Sequence, residues 1–422
     1  MKSYRRNSNL LFSIAIVFIL GLVAALTWSN YQYARQNPGG NDFLVHWMGT
    51  RNFLLYGTSP YSDQTAIAIQ TMAYGRPAII GKEHELRVAY PLYSIVLFTP
   101  FALIPDFTLA RAIWMTVLEG ALVLVSFISI RLADWKPNIL ILALFMLFSV
   151  FWYHGLRPLI NGNAVILIAL FIVGAFYAIK NGNDELAGVL LAFSSVKPQL
   201  AVVVMAFVFI WSLRQGRLKI IVWMLTTLLL LVLSAVLLIP DWMLQNVREV
   251  MRYPGYNPPG TLATALLAML PGLGKRLPLI IAGLLGIIML GEWFLVKPNR
   301  DFKTFLWTAS LSLVISQWIG IQTDPGNFII LMPALVLSLA LLESRWRWGK
   351  VFTYLVMLFL FLGLWWLFIQ TAIPGDQLQQ GPIMFLPLPA VLLALLYWVR
   401  WWVFRPPSVW FDDVQAYNLS RR

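Results

Sequence analysis

The sequence predicts an all-α polytopic membrane protein, and three observations lead to that fold class. Hydrophobic residues make up 59% of the 422 residues and charged residues 12%, and the mean hydropathy is +0.74. A soluble domain uses about twice that charged fraction to cover itself. Apolar runs of about 20 residues, the length a helix needs to cross a hydrocarbon core about 30 Å thick, recur along the whole chain. Finally, most of the 31 Lys and Arg residues fall in short segments at alternate ends of these runs, as the retention of positive charge in cytoplasmic loops requires.

The formal charge of +13 has no soluble basic face on which to gather, so nucleic acid is not an expected partner and the excess reads as topogenic. With no Cys there is no disulfide, thiolate nucleophile or Cys-ligated metal, and His46, His84 and His154 are the only histidines. No metal or cofactor is expected from that donor set. The basic start (Lys2, Arg5, Arg6) and the apolar run 10–28 lack a small-x-small cleavage site and exceed a signal-peptide core, which predicts an uncleaved first span.

Taken in order, the predicted spans are 10–29, 108–131, 137–153, 163–180, 185–196, 199–213, 218–239, 277–296, 303–322, 327–342, 350–372 and 383–404, about twelve crossings with both termini cytoplasmic. Residues 90–105, broken by Pro91, Pro100 and Pro105, are too short and interrupted to span and read as a re-entrant or interfacial element. Counting them as a crossing would turn Arg214, Arg217 and Lys219 to the outside; leaving them out keeps these with Arg131, Lys136, Lys180, Lys297, Arg300, Lys303, Arg345, Arg347, Lys350, Arg400, Arg405, Arg421 and Arg422 inside. Two long segments, 30–89 and 240–276, then lie outside. A carrier rarely needs so much polar sequence on one face, and no internal repeat of the kind carriers show is visible.

Certain polar residues demand a reason. Asp42 follows the first span by about a dozen residues in Asn41-Asp42-Phe43-Leu44-Val45-His46-Trp47. A carboxylate held there between apolar walls is a candidate base, or else a solvated loop acid or helix cap. Arg51 and the turn Tyr56-Gly57-Thr58-Ser59-Pro60-Tyr61 follow. The third span ends near His154-Gly155-Leu156-Arg157-Pro158-Leu159-Ile160-Asn161-Gly162-Asn163. There Arg157 offers a fork suited to phosphate or snorkels to headgroups, and Asn161 and Asn163 flank a ligand or cap the next helix. Lys197, in Ser194-Ser195-Val196-Lys197-Pro198, is a cation at membrane depth that calls for an anion, either a lipid phosphate or a protein carboxylate such as Asp42. Glu119 lies within the second span and is expected to pair internally. Tyr253 and Tyr256 stand in a turn-rich loop suited to sugar stacking or to simple order, and Asp324 reaches the same outer face as a second acid or a turn cap.

Asp42, the turn from Tyr56 to Tyr61, Tyr90-Pro91 opening a broken apolar segment, Asn161-Gly162-Asn163, and Ala187-Gly188 followed by Lys197-Pro198 together resemble, in order and spacing, the GT-C class of membrane glycosyltransferases, and within it the polyprenyl-phosphate-mannose-dependent mannosyltransferases of glycosyltransferase family 87. The resemblance covers roughly the first half of the chain. It implies a GT-C-like bundle with juxtamembrane helices on the outer loops, and transfer of a sugar from a polyprenyl phosphate to a hydroxyl of a glycolipid or glycan at the extracytoplasmic face. It also implies Asp42 as general base and Arg157 and Lys197 against the donor phosphate, with His46, Arg51, Tyr61, Tyr90, Asn161, Asn163, Tyr256 and Asp324 lining the substrate site. The catalytic module is then expected in 1–276 and a variable set of helices in 277–422. Leu92 stands where members often carry a second proline, and Gln322-Thr323-Asp324-Pro325-Gly326-Asn327 lacks the histidine some members have there. The alternatives are a multi-pass carrier or lipid flippase, with Lys197 and Arg157 binding its substrate anion, and a lipid-linked oligosaccharide polymerase or ligase. An enzyme of this class gathers its polar residues at the outer face, whereas a carrier lines a path at the bilayer midplane.

Overall fold

The computed structural model describes residues 2–257, 260–274, 276–296, 301–319, 324–373 and 379–404; the side chains of residues 2–12 and 273 are outside that description. Lys297, Arg300, Gln322, Thr323, Arg405, Arg421 and Arg422, which enter the charge argument or the resemblance, lie outside the described residues, as do Pro258, Pro259 and 374–378. The described chain is helical, with α1 Lys2–Gln36, α2 Asn41–Tyr56, α3 Asp63–Tyr74, α4 Ile95–Ala102, α5 Phe107–Leu132, α6 Ile139–Phe151, α7 Tyr153–Asn161, α8 Val165–Lys180, α9 Asp184–Ser194 and α10 Pro198–Gln215. Then come α11 Leu218–Leu238, α12 Trp242–Arg252, α13 Leu262–Met269, α14 Arg276–Leu295, α15 Phe302–Ile319, α16 Met332–Arg345, α17 Gly349–Leu358, α18 Leu364–Thr371 and α19 Pro387–Phe404.

A helix or bent helix pair stands at each of the twelve predicted positions. Among the described residues eight are long and apolar enough to cross a membrane, and the pair α6 and α7, bent by 43°, brings the number to nine where the two are counted as one broken span. Three expected crossings are not among these: α8 has 16 residues, α9 has 11, and α15 has 18 but a more polar sequence. Residues 92–102 form three residues of 3-10 helix and eight of α4, too few to cover a hydrocarbon core at 1.5 Å per residue. The protein is a multi-pass membrane protein, and its spans show it in their surfaces. Along α1, Val17, Phe18 and Leu20 point away from the protein, as they do where lipid replaces water.

The chain divides into two compact units that interleave along the sequence. The first holds residues 1–122, 157–167 and 232–257. In it α2 lies against α3 and α4, and α12 lies over the loop before α4. The polar side of α12 faces inward: Gln245 accepts from Ser59 at 2.6 Å, Asn246 donates to the carbonyls of Ala89 and Tyr90 at 3.0 Å, and Glu249 pairs with Arg87 at 2.6 Å. Its outward side exposes Leu244, Val247 and Met251 together with Arg248. Arg87 also pairs with Asp63, so the two long segments 30–89 and 240–276 are tied by one charge cluster. Within the span α5, Glu119 accepts from Asn30 of α1 at 3.1 Å, the internal pairing expected of it.

The second unit holds residues 123–156, 168–231 and 258–422. Its centre is α15 and α16, with α10, α14 and α19 packed on α15. Charged side chains near the span ends are matched inside the unit. Arg400 forks onto Glu292 with two 2.9 Å bonds, Lys180 pairs with Asp134 at 2.7 Å, and Arg217 pairs with Asp184.

Candidate active site

Two groups of polar side chains, one in each unit, hold most of the residues singled out in the sequence. In the first unit α1 ends at Gln36 and the chain turns through Gly39 and Gly40 into α2. A Cβ at Gly40 would lie 2.5 Å from Nε of Arg111, and its φ of 75° is left-handed, so only glycine passes here without strain. Asp42 therefore falls in the first turn of α2, where outward-pointing amide N–H groups favour an anion.

Two partners of Asp42 come from the end of α7 and the turn that follows it. Gly162, at φ 69°, brings that turn so close that a Cβ would sit 2.6 Å from Cβ of Phe43. Two side chains of α5 fix it: Trp114 Nε1 donates to the Gly162 carbonyl at 2.8 Å, and buried Arg111 donates to the carbonyls of Ile160 at 3.2 Å and Asn37 at 2.7 Å. Asn163 Oδ1 then accepts the N–H of Val165 at 3.0 Å, capping α8. An amide whose oxygen is so occupied turns its NH₂ the other way, and Nδ2 donates to Oδ2 of Asp42 at 2.9 Å. Asn161 Nδ2 reaches the same oxygen at 3.4 Å. Thus Asn163 both caps a helix and touches the candidate base. His46, one turn on from Asp42, is buried with its ring 4.6 Å from Phe98, at 11°, and 4.0 Å from Tyr90.

In the second unit α10 opens on Lys197 and Pro198, and proline suits the first helical position because its missing N–H would have had no partner there. Lys197 is 4% exposed and its Nζ donates to Oδ1 of Asn327 at 2.6 Å. Asn327 sits on the 3-10 turn Pro325–Leu331 that leads into α16, and Asp324 caps that turn by accepting from Gly326 N–H at 2.7 Å. On the same turn the Pro325 carbonyl lies 2.7 Å from Nδ1 of His154, which is fully buried.

The other predicted residues have scaffold contacts of their own. Arg51 donates to the Ala102 carbonyl at 2.8 Å, supporting the C-terminal end of α4. The Tyr61 hydroxyl donates to the Tyr90 carbonyl at 2.7 Å, and burial pushes its pKa up. Tyr256 stacks edge-on against His84 at 4.9 Å, with its hydroxyl buried. Arg157 lies half-buried on α7, directly before Pro158. Arg111, Trp114 and Asn327 received no role from the sequence. Arg111 had a signal, since an arginine inside an apolar run must find acceptors.

The described chain is thus an all-helical, multi-pass membrane protein with an asparagine-held carboxylate in one unit and an asparagine-held ammonium in the other. The family model of glycosyltransferase family 87 matches residues 89–317, more than half of the chain, and the protein belongs to that family. It is a membrane glycosyltransferase, and the carrier alternative falls away. No curated protein and no solved structure matches the chain. The matched stretch contains Tyr90, Arg157, Asn161, Asn163, Lys197 and Tyr256; Asp42, His46, Arg51 and Tyr61 precede it, and Asp324 follows it.

Proposed function

We propose that the protein moves a hexose, with mannose the first candidate, from a polyprenyl phosphate to a hydroxyl of a glycolipid or glycan at the extracytoplasmic face, with inversion and with Asp42 as general base. The observation that carries this reading is the placement of Asp42 in the first turn of α2, with its Oδ2 held by Asn163. A base must be held in register with the proton it takes, and a pinned carboxylate meets that need.

In the reaction the acceptor oxygen forms a bond to the anomeric carbon while the bond from that carbon to the phosphate oxygen breaks. The hydroxyl proton passes to the Asp42 carboxylate, and polyprenyl phosphate leaves with the bonding electrons. Lys197 and Arg157 are the groups we assign to the departing phosphate, whose charge they offset without a metal.

Transfer is tested with purified protein and a panel of polyprenyl-phosphate sugars. Asp42→Asn keeps the shape but takes no proton at neutral pH, and turnover should fall by about 10²- to 10⁴-fold with donor binding retained. Asp63→Asn, in the same loop, is the control and should change little. Near-normal transfer by Asp42→Asn together with loss in Asp324→Asn would move the base to the later turn. Lys197→Met and Arg157→Met should each weaken donor use by about 1.5–3 kcal/mol, the worth of a charge-assisted bond. Sidedness is read separately. The native chain has no Cys, so an impermeant thiol reagent on intact cells should label Ile80→Cys and spare Leu218→Cys.

A further inference from the structure

Two side chains from different helices reach one short turn. Lys197, at the start of α10, gives its ammonium proton to Oδ1 of Asn327, while His154, at the start of α7, meets the Pro325 carbonyl two residues earlier. A carbonyl can only accept, so at 2.7 Å Nδ1 of His154 carries the proton. The His154 ring cannot swing away, because Trp152, Tyr153 and Phe328 surround it with ring centroids 5.1–5.3 Å distant. The turn is pinned at successive residues: Asp324 Oδ1 takes the Gly326 N–H at 2.7 Å, the Asp324 carbonyl takes the Asn327 N–H at 3.0 Å, and His154 holds Pro325 between them. Proline fixes φ at that point, so little freedom is left in the backbone that aims the Asn327 side chain.

We propose that His154 is a positioning residue for Lys197: by holding the Pro325 carbonyl it sets the Pro325–Leu331 turn, and the turn sets where Asn327 steers the ammonium. The inference rests on the reading of Lys197 as a contact of the donor phosphate. His154 acts here through the turn and not on the substrate, although its Nε2 is buried with no hydrogen-bond partner among the described residues.

The test compares donor KM, acceptor KM and kcat in His154→Phe, His154→Asn, Asn327→Leu and the double variant His154→Phe/Asn327→Leu. Phenylalanine keeps a ring but loses the donor; asparagine loses the ring but places an amide N–H near the position of Nδ1. We expect His154→Phe and Asn327→Leu each to raise donor KM about 5- to 10-fold, the range of one lost hydrogen bond, with acceptor KM unchanged. His154→Asn should stay within about twofold of the native enzyme, and the double variant should be no worse than the poorer single, because both act through one turn. Should His154→Phe fail to fold, His154→Gln replaces it, since its longer amide reaches the Nε2 position and leaves Pro325 without its donor.

His154→Asn as impaired as His154→Phe or His154→Gln, or fully additive losses in the double variant, would overturn the positioning role. The two readings fail separately. If Lys197→Met leaves donor KM unchanged, the assignment of Lys197 fails; if Lys197→Met raises it and His154→Phe does not, the inference about His154 fails alone.

Discussion

Asp42 and Lys197 each stand beside an asparagine from a distant part of the chain, but the two amides present opposite ends. Asn163 gives N–H to a carboxylate, and Asn327 gives C=O to an ammonium. They are also oriented by different means. The Asn163 amide is fixed by its own helix cap, two residues away at Val165. Beneath Asn327 the backbone is fixed, and one of the bonds that fixes it comes from His154, whose acceptor Pro325 is 171 residues further along. A neutral amide can thus hold either sign of charge, and that amide is oriented locally in one unit and through a long-range contact in the other.

If this contrast is right, changing each asparagine to aspartate should damage different kinetic constants. Asn163→Asp keeps an oxygen to cap Val165, so α8 survives, but sets a second carboxylate against Asp42. Like charges that close cannot both ionise freely, and the pair should lose on the order of 10² in kcat while its acid limb moves to higher pH. A pH profile of kcat with a thermal unfolding control checks this; native turnover with an unmoved limb would mean that Asn163 is a cap and nothing more. Asn327→Asp sets a carboxylate against Lys197 where an amide oxygen accepts now. The expected effect is smaller, about a tenfold rise in donor KM at nearly constant kcat, because the new carboxylate competes with phosphate for the ammonium. A fall in donor KM would break the symmetry between the two sites.

The same contrast explains what the sequence could tell. Each apolar run holds a helix, because hydrophobic length and flanking charge are local properties, although α1 runs well past both ends of the expected 10–29 and the expected end of 303–322 lies outside the described residues. The short break at 90–105 was legible from its three prolines. How many helices cross was less so: α8, α9 and α15 are too short or too polar to be counted by composition, and what encloses them is a matter of tertiary contact. Asn161-Gly162-Asn163 stood out because glycine between two amides is a local sign of a tight turn. Asn327 and His154 did not, since nothing near either one announces a partner 130 or 171 residues away. Arg51 was expected at the substrate and has a bond to the Ala102 carbonyl, while Arg111, given no role, ties three segments together. Arginine type and loop position do not distinguish a ligand contact from a carbonyl clamp.

The smallest expected effect separates the platform that residues 84–88 form with Tyr253 and Tyr256 in the first unit from both charged sites. His84, in the 30–89 segment, lies under the rings of Tyr253 and Tyr256 and accepts the Leu86 N–H through Nδ1 at 3.0 Å. Burial pulls its pKa down to about 4, from 6.5 in the unfolded chain. With the folded value below the unfolded one, an opened platform binds the proton first. Stability is therefore complete above about pH 6.5 and is lost as the pH falls toward 4, by on the order of 3 kcal/mol. A proton on Nδ1 also removes the acceptor for Leu86 N–H, so the opening should be local. Hydrogen-exchange protection of residues 84–88 should drop between pH 7 and pH 5 in the native protein. In His84→Asn, whose oxygen can still accept from Leu86 but does not titrate, protection should hold steady. The acid limb of kcat, which the proposed mechanism assigns to Asp42, should be the same in both proteins. If His84→Asn moved that limb, the platform and the Asp42 site would be one titrating system, and the separation drawn between them would fail.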